Sequence, residues 1–232
     1  MLDGIGMPYR ASVSGLMGER NMIPRPFGIT AVKKDNISGT RDQVFKVPAG
    51  KTVVAHWGDG TIDKIDGPYD AIIQHNYQVN SACRFLLTGD IDSITEIEFS
   101  NSMWIADLQD VLVPPNQNIV TLNFTSGLFK GDLKVLGKFY GSSLTNLIVG
   151  NSTAYHYTPG YVLPDLSGCA AITLASIGLD QQEVDDFLVD INASAGNSGT
   201  FLILGGNAVP SAVGLAAKAS LELKGWVVLV DT

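Results

Sequence analysis

The chain has 232 residues, a formal net charge of −8 and a hydrophobic fraction of 45%, so it can bury a substantial core in one or two domains. Because binding to phosphates requires clustered Lys and Arg, the acidic balance argues against nucleic acid as a partner and against docking on an anionic membrane. Only 16% of the residues are charged, which is below the usual ~25%; the surface therefore either relies on Ser, Thr, Asn and Gly or is partly covered by partners, as in a homo-oligomer.

Residues 1–28 are predicted to form an extended arm, because glycine and proline residues interrupt any regular spacing of apolar residues there. The arm is too apolar for a solvated tail, so we expect it to pack either on its own domain or on another protein. The start lacks the pattern of a secretory signal, and no window approaches 18 consecutive apolar residues, so we expect no membrane span. Cys83 and Cys169 have no metal-ligand spacing; buried thiols are the first interpretation and a disulfide the alternative.

Residues 29–91 predict a β-sandwich of short antiparallel strands. Apolar and polar residues alternate in 29–34, 43–50 and 51–57, as in half-buried strands. The sequence Gly-Asp-Gly-Thr at 58–61 predicts a hairpin turn, because glycine and aspartate tolerate left-handed backbone angles. Residues 61–65 would be the return strand, and 71–77 and 83–91 would complete the sandwich.

Two motifs in this region resemble a known family. The residues HWGDGT at 56–61 and HNY at 75–77, followed by an apolar strand ending at Thr88-Gly89, resemble the polycystic-kidney-disease (PKD) type of immunoglobulin-like domain. The usual turn after HNY is replaced by QVNSAC at 78–83. The resemblance implies an extracellular spacer or adhesion module rather than a catalyst. The residues given structural roles in the turn are Trp57, Gly58, Asp59, Gly60, His75 and Tyr77.

Five similar strand-like segments follow, at 94–102, 119–127, 144–152, 171–178 and 200–207. Each alternates apolar residues and then breaks into Gly, Asn or Ser. A repeat of roughly 20–30 residues with one strand per unit is typical of a stacked solenoid. The aligned central residues, separated by steps of 25, 25, 27 and 28, are Ile97, Leu122, Leu147, Leu174 and Leu202.

The segments that return the chain between these strands differ. Apolar spacing in 102–117 and 127–142 predicts a helical turn or two in each, whereas 151–168 is rich in Gly and Pro and predicts a loop. A capped helix should begin at Asp180, with Glu183 completing a capping box, and end at Gly196. A second helix, capped by Ser211 and stopped by Gly225, should precede a closing strand at 226–230.

The first three strand segments have the form I-x-x-I-x-F, I-x-x-L-x-F and L-x-x-L-x-V, which resembles the leucine-rich repeat pattern. The region 92–232 looks like the terminal repeats of leucine-rich surface proteins of Bacteroidota and of their phages. The asparagine ladder is incomplete, which implies a short, degenerate solenoid. The sequence therefore predicts a mainly β protein with some α-helix (α+β), in which an arm at 1–28 precedes a PKD-like sandwich at 29–91 and a leucine-rich-like solenoid at 92–232.

Candidate chemistry is sparse. Asp59, Asp63, Asp66 and Asp70 are weak candidates for a calcium site, but their spacing does not match an EF-hand loop, and turn-forming aspartates are the alternative. His56, His75 and His156 lack partners at metal-ligand spacing and are interpreted as hydrogen-bonding residues. Nucleophile-elbow and phosphate-loop motifs are absent from the sequence. We expect no catalytic residue and no cofactor.

The segment 155–161 concentrates aromatic residues and is the candidate binding site, with Tyr155, His156, Tyr157 and Tyr161 as candidate contacts. Exposed tyrosine supplies contact area at low entropic cost, so a glycan or a protein surface would be the ligand. Packing of the tyrosines on the edge of the solenoid is the alternative.

These patterns favour a non-enzymatic structural protein of a phage virion, as a head or tail fibre, decoration or adhesin component. Such a protein is assembled in the host cytoplasm and acts outside the cell, which reconciles extracellular-type modules with the absence of an export signal. The arm would contact other virion proteins, and a host surface protein or glycan would be the second partner. A bacterial cell-surface adhesion module is the first alternative, and an accessory fragment of a carbohydrate-active enzyme is the second.

Overall fold

The computed structural model describes residues 29–33, 39–78, 82–99, 104–108, 118–125, 128–135, 144–160, 171–194, 196 and 198–232. Within these ranges the chain is mostly β with two α-helices, which confirms the mainly β class with some α. The predicted arm at 1–28, together with Tyr161 and Cys169, lies outside the described residues.

Fifteen strands are described, and their bounds are as follows. The first six are β1 Ile29–Lys33, β2 Gly39–Val47, β3 Thr52–His56, β4 Ile62–Asp66, β5 Tyr69–Tyr77 and β6 Cys83–Gly89. The next six are β7 Glu96–Glu98, β8 Trp104–Asp107, β9 Thr121–Phe124, β10 Leu128–Asp132, β11 Asn146–Gly150 and β12 Tyr155–His156. The last elements are β13 Ala171–Ala175, α1 Gln181–Ser194, β14 Gly199–Leu204, α2 Ala212–Leu223 and β15 Trp226–Val230.

The strands form two sheets. The order is β12-β10-β8-β1-β6-β3-β4 in the seven-stranded sheet and β15-β14-β13-β11-β9-β7-β2-β5 in the eight-stranded sheet. The first six strands are divided between the two sheets and pair antiparallel with one another. The predicted hairpin is present as β3 and β4, and the Trp57 amide donates to the Thr61 carbonyl at 3.1 Å.

From β7 to β13 the chain alternates between the sheets, so that each repeat gives one strand to each. Within the eight-stranded sheet, β7, β9, β11, β13, β14 and β15 are parallel neighbours. In the seven-stranded sheet, β8, β10 and β12 are parallel neighbours as well. Strand β7 also pairs antiparallel with β2, so the parallel strands continue the sheet that begins at 39–47.

The predicted strand register is correct for three repeats and wrong for the last two. Ile97, Leu122 and Leu147 are paired in one row of the sheet, as predicted. The row continues through Ile172 and Phe201 rather than through Leu174 and Leu202. Leu174 lies two residues beyond this row and pairs with Val149. Leu202 lies on the outer face of the sheet, because its neighbours Phe201 and Ile203 are buried and point into the core.

The return segments contain strands that were not predicted, beside the predicted helical turns. In the described part of 102–117, β8 ends at Asp107 and Leu108 is helical. In the described part of 127–142, β10 is followed by a 3-10 turn at 133–135. A helix is incompatible with Gly131, whose φ is 116°, in the middle of β10. In the segment predicted to be a loop, β12 pairs with β10 before the description stops at residue 160.

Both predicted helix starts are present. The Glu183 amide donates to the Asp180 carboxylate and the Asp180 amide donates to the Glu183 carboxylate, each at 2.9 Å, which is a complete capping box. The Ser211 hydroxyl accepts from the Val213 amide at 3.1 Å and caps α2. Gly225, with φ 91°, separates α2 from β15.

One hydrophobic core runs through the described residues. It extends from Phe45 and Phe85, between the first strands of the two sheets, to Phe187 on α1 and Phe201 on β14. Cys83 carries a thiol in this core and is 3% exposed. Of the helices that are described, neither has the length and apolar content required to cross a membrane.

Candidate binding site

The residues of the two PKD-like motifs form a packed cluster beside the β3–β4 turn. The Trp57 ring stacks on His75 with centroids 4.5 Å apart, and the His75 Nε2 atom lies 2.7 Å from the Asp59 carboxylate. The Tyr77 hydroxyl donates to the Trp57 carbonyl at 3.0 Å. Trp57 and Tyr77 are buried, so these residues act as packing and hydrogen-bonding elements of the turn and present little surface to a ligand.

The turn requires its glycine and its aspartate. Gly58 has φ 82°, and a Cβ atom there would lie 2.3 Å from the Arg84 carbonyl oxygen, so a larger residue cannot fit without moving the backbone. The Asp59 carboxylate accepts from the Thr61 amide at 3.0 Å and from its hydroxyl at 2.6 Å. Burial alone would raise the pKa of Asp59, but hydrogen bonds from Thr61 and His75 keep the pKa below its usual value.

The four aspartates considered for calcium have separate partners. Asp63 accepts from the Trp57 indole at 2.6 Å, Asp66 accepts from the Lys64 ammonium at 2.8 Å, and Asp70 forms an ion pair with Lys46. Within the described ranges, no three acidic, histidine or cysteine side chains converge as a metal site would require. The structure therefore does not bring Asp59, Asp63 and Asp66 together around one position.

The histidines are found in hydrogen-bonding positions. The His56 Nε2 atom lies 3.1 Å from the Thr88 hydroxyl, across the β3–β6 pair. His75 contacts Asp59 as described above. His156 is exposed, and its Nε2 atom lies 3.7 Å from the Asp132 carboxylate.

For two tyrosines of the candidate binding segment, the predicted exposure is wrong and the alternative, packing against the fold, agrees with the structure. Tyr155 in β12 and Tyr157 just after β12 are each only 4% exposed, because both side chains point inward. The Tyr157 ring packs edge-on against Phe187 of α1, with centroids 4.8 Å apart, and its hydroxyl donates to Asp190 at 2.6 Å. Burial, together with the Asp190 carboxylate, raises the pKa of Tyr157. These tyrosines belong to the core, and His156 between them faces outward.

Three carboxylates fix the backbone that follows β12. The Tyr157 amide donates to the Glu183 carboxylate at 3.0 Å. The Thr158 amide donates to Asp132 at 3.0 Å, and the Gly160 amide donates to Asp190 at 2.8 Å. Glu183 and Asp190 belong to α1, whereas Asp132 ends β10. We name residues 151–160 the anchored segment, because its backbone is connected to two neighbouring elements of the fold.

Asp132 is the most deeply buried of these three anchors. Its side chain is 4% exposed, and one carboxylate oxygen accepts from the amides of both Lys134, at 2.9 Å, and Thr158, at 3.0 Å. The other oxygen lies 3.2 Å from the Lys134 ammonium. Burial alone would raise the pKa of Asp132, but these hydrogen bonds keep the pKa below its usual value, so the carboxylate is charged at neutral pH.

An open cleft of about 540 Å³ lies beside the start of the anchored segment. Its lining residues are Leu128, Lys130, Asn151, Ser152, Thr153, Ala154 and Ser176. Leu128 is 43% exposed and adjoins exposed polar side chains, so the cleft combines an apolar contact with a cation and hydrogen-bonding groups. The Asn151 side chain donates to the Thr125 carbonyl at 2.7 Å and the Ser152 hydroxyl donates to the Phe129 carbonyl at 2.5 Å, which fixes this end of the segment.

Sequence reasoning identified the region but not the residues that organise it. It did not identify Asp132 or Asp190 as anchors, and it recognised Glu183 only as a helix cap. Tyr-His-Tyr at 155–157 does alternate aromatic and polar residues, and this period-2 signal would have predicted inward tyrosines.

The anchored segment is therefore a firmly held part of the surface that lies beside an open cleft. It does not by itself indicate a ligand. In the comparisons with known proteins, no family model, no curated protein and no solved structure matches this chain.

Proposed function

We propose that the chain is a non-enzymatic structural component of a phage virion, used for assembly or host attachment. In this proposal, residues 29–91 are a PKD-like β-sandwich and residues 92–232 are a short leucine-rich-like solenoid. The arm at 1–28 docks on other virion proteins, and the anchored segment meets a host surface protein or glycan.

Strand pairing supports the two modules. The strands of 29–91 divide between two sheets, and Phe45 and Phe85 stack between them with centroids 6.1 Å apart, as sandwich layers do. The strands from β7 to β13 alternate between the same two sheets and pair in parallel with the equivalent strands of neighbouring repeats, as the repeats of a solenoid do.

The observation that carries the proposal is the β2–β7 pair. Phe45 pairs with Ile97 and Lys46 pairs with Glu96, and the Lys46 ammonium lies 2.7 Å from the Glu96 carboxylate. A sheet that continues from one module into the other makes a stiff connection, whereas domains joined by a linker move independently. A stiff platform suits a protein that transmits a contact from a particle to a surface.

The anchored segment supports the attachment role. Its backbone is fixed by Asp132, Glu183 and Asp190, so binding would cost little ordering entropy. The side chains that it presents to solvent are those of Asn151, Thr153, Ala154, His156, Thr158 and Pro159.

The composition of purified particles tests the proposal. Quantitative mass spectrometry of a phage that encodes this chain should find it at a fixed copy number per particle. If the particles lack the chain and it is recovered from bacterial envelope fractions, the virion proposal is wrong and a cell-surface adhesion module takes its place.

The attachment role has its own test. The purified chain should compete with particles for host cells, and the double variant Thr153→Glu/His156→Glu should compete at least tenfold less well. Ile62→Glu, at an exposed position on β4, is the matched control and should compete like the wild type. Equal competition by both variants would assign attachment to another surface.

A further inference from the structure

The cleft beside the anchored segment is built on the ends of two paired strands. Strands β11 and β13 end opposite each other, with Gly150 paired to Ala175. The residues that follow, Asn151 and Ser176, have left-handed φ angles of 57° and 56°. Their amides donate to the carbonyls of Ala175 at 3.0 Å and Leu204 at 2.9 Å. The backbone at both positions is therefore fixed by the sheet, while both residues line the cleft.

Three polar groups of the cleft have no partner in the described part of the chain. The Lys130 ammonium and the hydroxyls of Thr153 and Ser176 form no hydrogen bond or ion pair there. Lys134, which follows on the same side of the chain sequence, differs because its ammonium lies 3.2 Å from the Asp132 carboxylate. A surface with an uncommitted cation and two uncommitted hydroxyls can bind a ligand without first breaking contacts of its own.

Lys130 determines the charge that the cleft favours. It is exposed, and it is the one ionisable residue among those that line the cleft. Asp107 is opposite Lys130 in the β8–β10 pair, but no ion pair joins the two side chains. The Asp107 carboxylate lies against Gly131 instead, where a Cβ atom would be 2.7 Å from its Oδ1 atom. The cleft therefore favours an anionic group, which can accept a charge-assisted hydrogen bond, although the whole chain has a net charge of −8.

The other lining groups indicate the class of this anion. The hydroxyls of Thr153 and Ser176 each donate and accept, which matches the hydroxyls of a sugar. Leu128, which is 43% exposed, offers an apolar contact for the C–H face of a sugar ring. The volume of about 540 Å³ lies within the ~300–1,000 Å³ range of small-ligand sites and exceeds what a compact inorganic anion would fill. An acidic peptide would also pair with Lys130, but the neutral hydroxyls favour a ligand rich in hydroxyl groups.

We propose that the cleft binds a sugar that carries a carboxylate, such as a uronic acid or a neuraminic acid. Lys130 pairs with the carboxylate, Thr153 and Ser176 bond ring hydroxyls, and Leu128 contacts the C–H face of the ring. This ligand class rests on the proposed function, because it specifies what the anchored segment and its cleft meet on the host. It replaces the open choice between a host protein and a glycan with acidic glycans.

Titration of the ¹⁵N-labelled full chain, followed by amide NMR, measures the affinity and the location of binding. The acidic probes are digalacturonate and N-acetylneuraminic acid, and the neutral counterpart is the dimethyl ester of digalacturonate. The amide signals of Lys130, Thr153 and Ser176 should shift, with a dissociation constant of about 1 mM or tighter for at least one acidic sugar. The ester should bind about fivefold more weakly than digalacturonate, because it lacks the exposed charge pair. Added NaCl should weaken binding of the acid but not of the ester.

Two variants test the roles of the cleft side chains. Lys130→Gln should remove the preference for the acid over the ester. Lys51→Gln, which removes another exposed lysine just before β3, is the matched control and should keep the wild-type preference. Ser176→Gly removes a hydroxyl at a left-handed position that glycine readily adopts, so it should weaken binding of both the acid and the ester without unfolding the chain. The amide spectrum shows whether each variant is folded.

Four results would overturn the proposal. They are unshifted cleft signals with both acidic sugars at about 10 mM, equal affinity of the wild type for acid and ester, a preference for the acid that survives Lys130→Gln, and tighter binding of triglutamate than of either sugar, which would indicate an acidic peptide. Failure of the proposed function gives a different result. A chain that competes with particles for host cells but binds neither sugar keeps the attachment role and loses this ligand. A chain that is absent from particles but binds digalacturonate through Lys130 keeps the sugar site and loses the virion assignment.

Discussion

Replacing Asp132 with alanine should release the anchored segment from β10. The carboxylate accepts from two backbone amides, those of Lys134 and Thr158, and its side chain is 4% exposed. Alanine leaves both donors without this acceptor. The neighbouring carboxylates do not replace it, since Asp190 and Glu183 already accept from Gly160 and Tyr157.

The expected loss follows from these two donors. An unsatisfied buried donor costs about 1–3 kcal/mol, and the lower figure applies here because Thr158 is exposed to water and Lys134 is partly so. We therefore expect a loss of about 2–3 kcal/mol in unfolding free energy. For a chain of this length each kcal/mol lowers Tm by about 2–4 °C, so Tm should fall by about 4–12 °C.

Urea denaturation measures the stability, and hydrogen exchange followed by mass spectrometry measures the segment. Peptides that contain 155–160 should exchange faster in Asp132→Ala, while α2 should retain its protection. Asp92→Ala, which removes an exposed carboxylate in a 3-10 turn, is the control for the charge change. If Asp132→Ala is as stable as the control to within 0.5 kcal/mol, and 155–160 exchanges at the wild-type rate, Asp132 is not an anchor.

Three further substitutions test other parts of the fold. Gly214→Ala should destabilise by about 1–3 kcal/mol although alanine favours helix, because the new Cβ would lie 2.2 Å from the Asp185 carboxylate; urea denaturation measures this. Asn207→Ala should lower the unfolding free energy by about 2 kcal/mol in the same assay, because the buried side chain accepts from the Leu179 amide and donates to the Leu174 carbonyl of β13. Asp231→Ala should cost about 1 kcal/mol at pH 7, since its partly exposed carboxylate accepts from three consecutive amides beginning at Gly205.

The Asp231 effect has a defined pH dependence. The Gly205 amide is the main cause that lowers the pKa of Asp231 below its ordinary value of 3.8. A carboxyl group with a lower pKa in the folded state stabilises above its unfolded pKa, and the contribution disappears as pH falls through the folded pKa. The difference in unfolding free energy between the wild type and Asp231→Ala should therefore have its full value at pH 7 and shrink below pH ~4. A difference in unfolding free energy that stays constant down to pH ~2.5 contradicts this explanation. For Gly214→Ala, the control is Ala219→Gly at an exposed position of α2, and for Asn207→Ala it is Asn76→Ala at an exposed position of β5.

Local signals predicted local structure well. The Gly-Asp-Gly-Thr turn gave the β3–β4 hairpin because left-handed backbone angles restrict which residues can occupy it. The Asp180–Glu183 capping box gave the start of α1, since both of its hydrogen bonds lie within four residues. Interactions of this range depend little on the rest of the chain.

Strand register was harder to predict because it depends on which neighbour a strand meets. In β13 both Ile172 and Leu174 are buried, so an alignment on either one satisfies the apolar pattern. In β14 the run Phe-Leu-Ile-Leu at 201–204 is apolar on both faces, and alternation cannot identify the inner one. The pairing with β13 fixes this choice in the folded chain.

The composition of the candidate binding segment predicted its local structure only in part. Its glycine and proline content predicted a loop, but the pairing of β12 with β10 turns Tyr155 and Tyr157 inward. The anchors come from residues 26 to 33 positions away along the chain, as in the Thr158–Asp132 and Tyr157–Asp190 contacts. Contacts of this range leave no periodic signal in the sequence.

The proposed platform depends most directly on the β2–β7 pair, which a designed disulfide can test. Lys46 and Glu96 are directly opposite in the antiparallel register. Lys46→Cys/Glu96→Cys should form an intramolecular 46–96 link on mild oxidation of the folded chain, whereas Lys46→Cys/Val227→Cys, which joins β2 to the far edge strand β15, should not. Formation of the 46–96 link in most molecules, with native circular dichroism, is the result that we predict. A folded variant whose thiols at 46 and 96 stay reduced would contradict a sheet that continues from one module into the other.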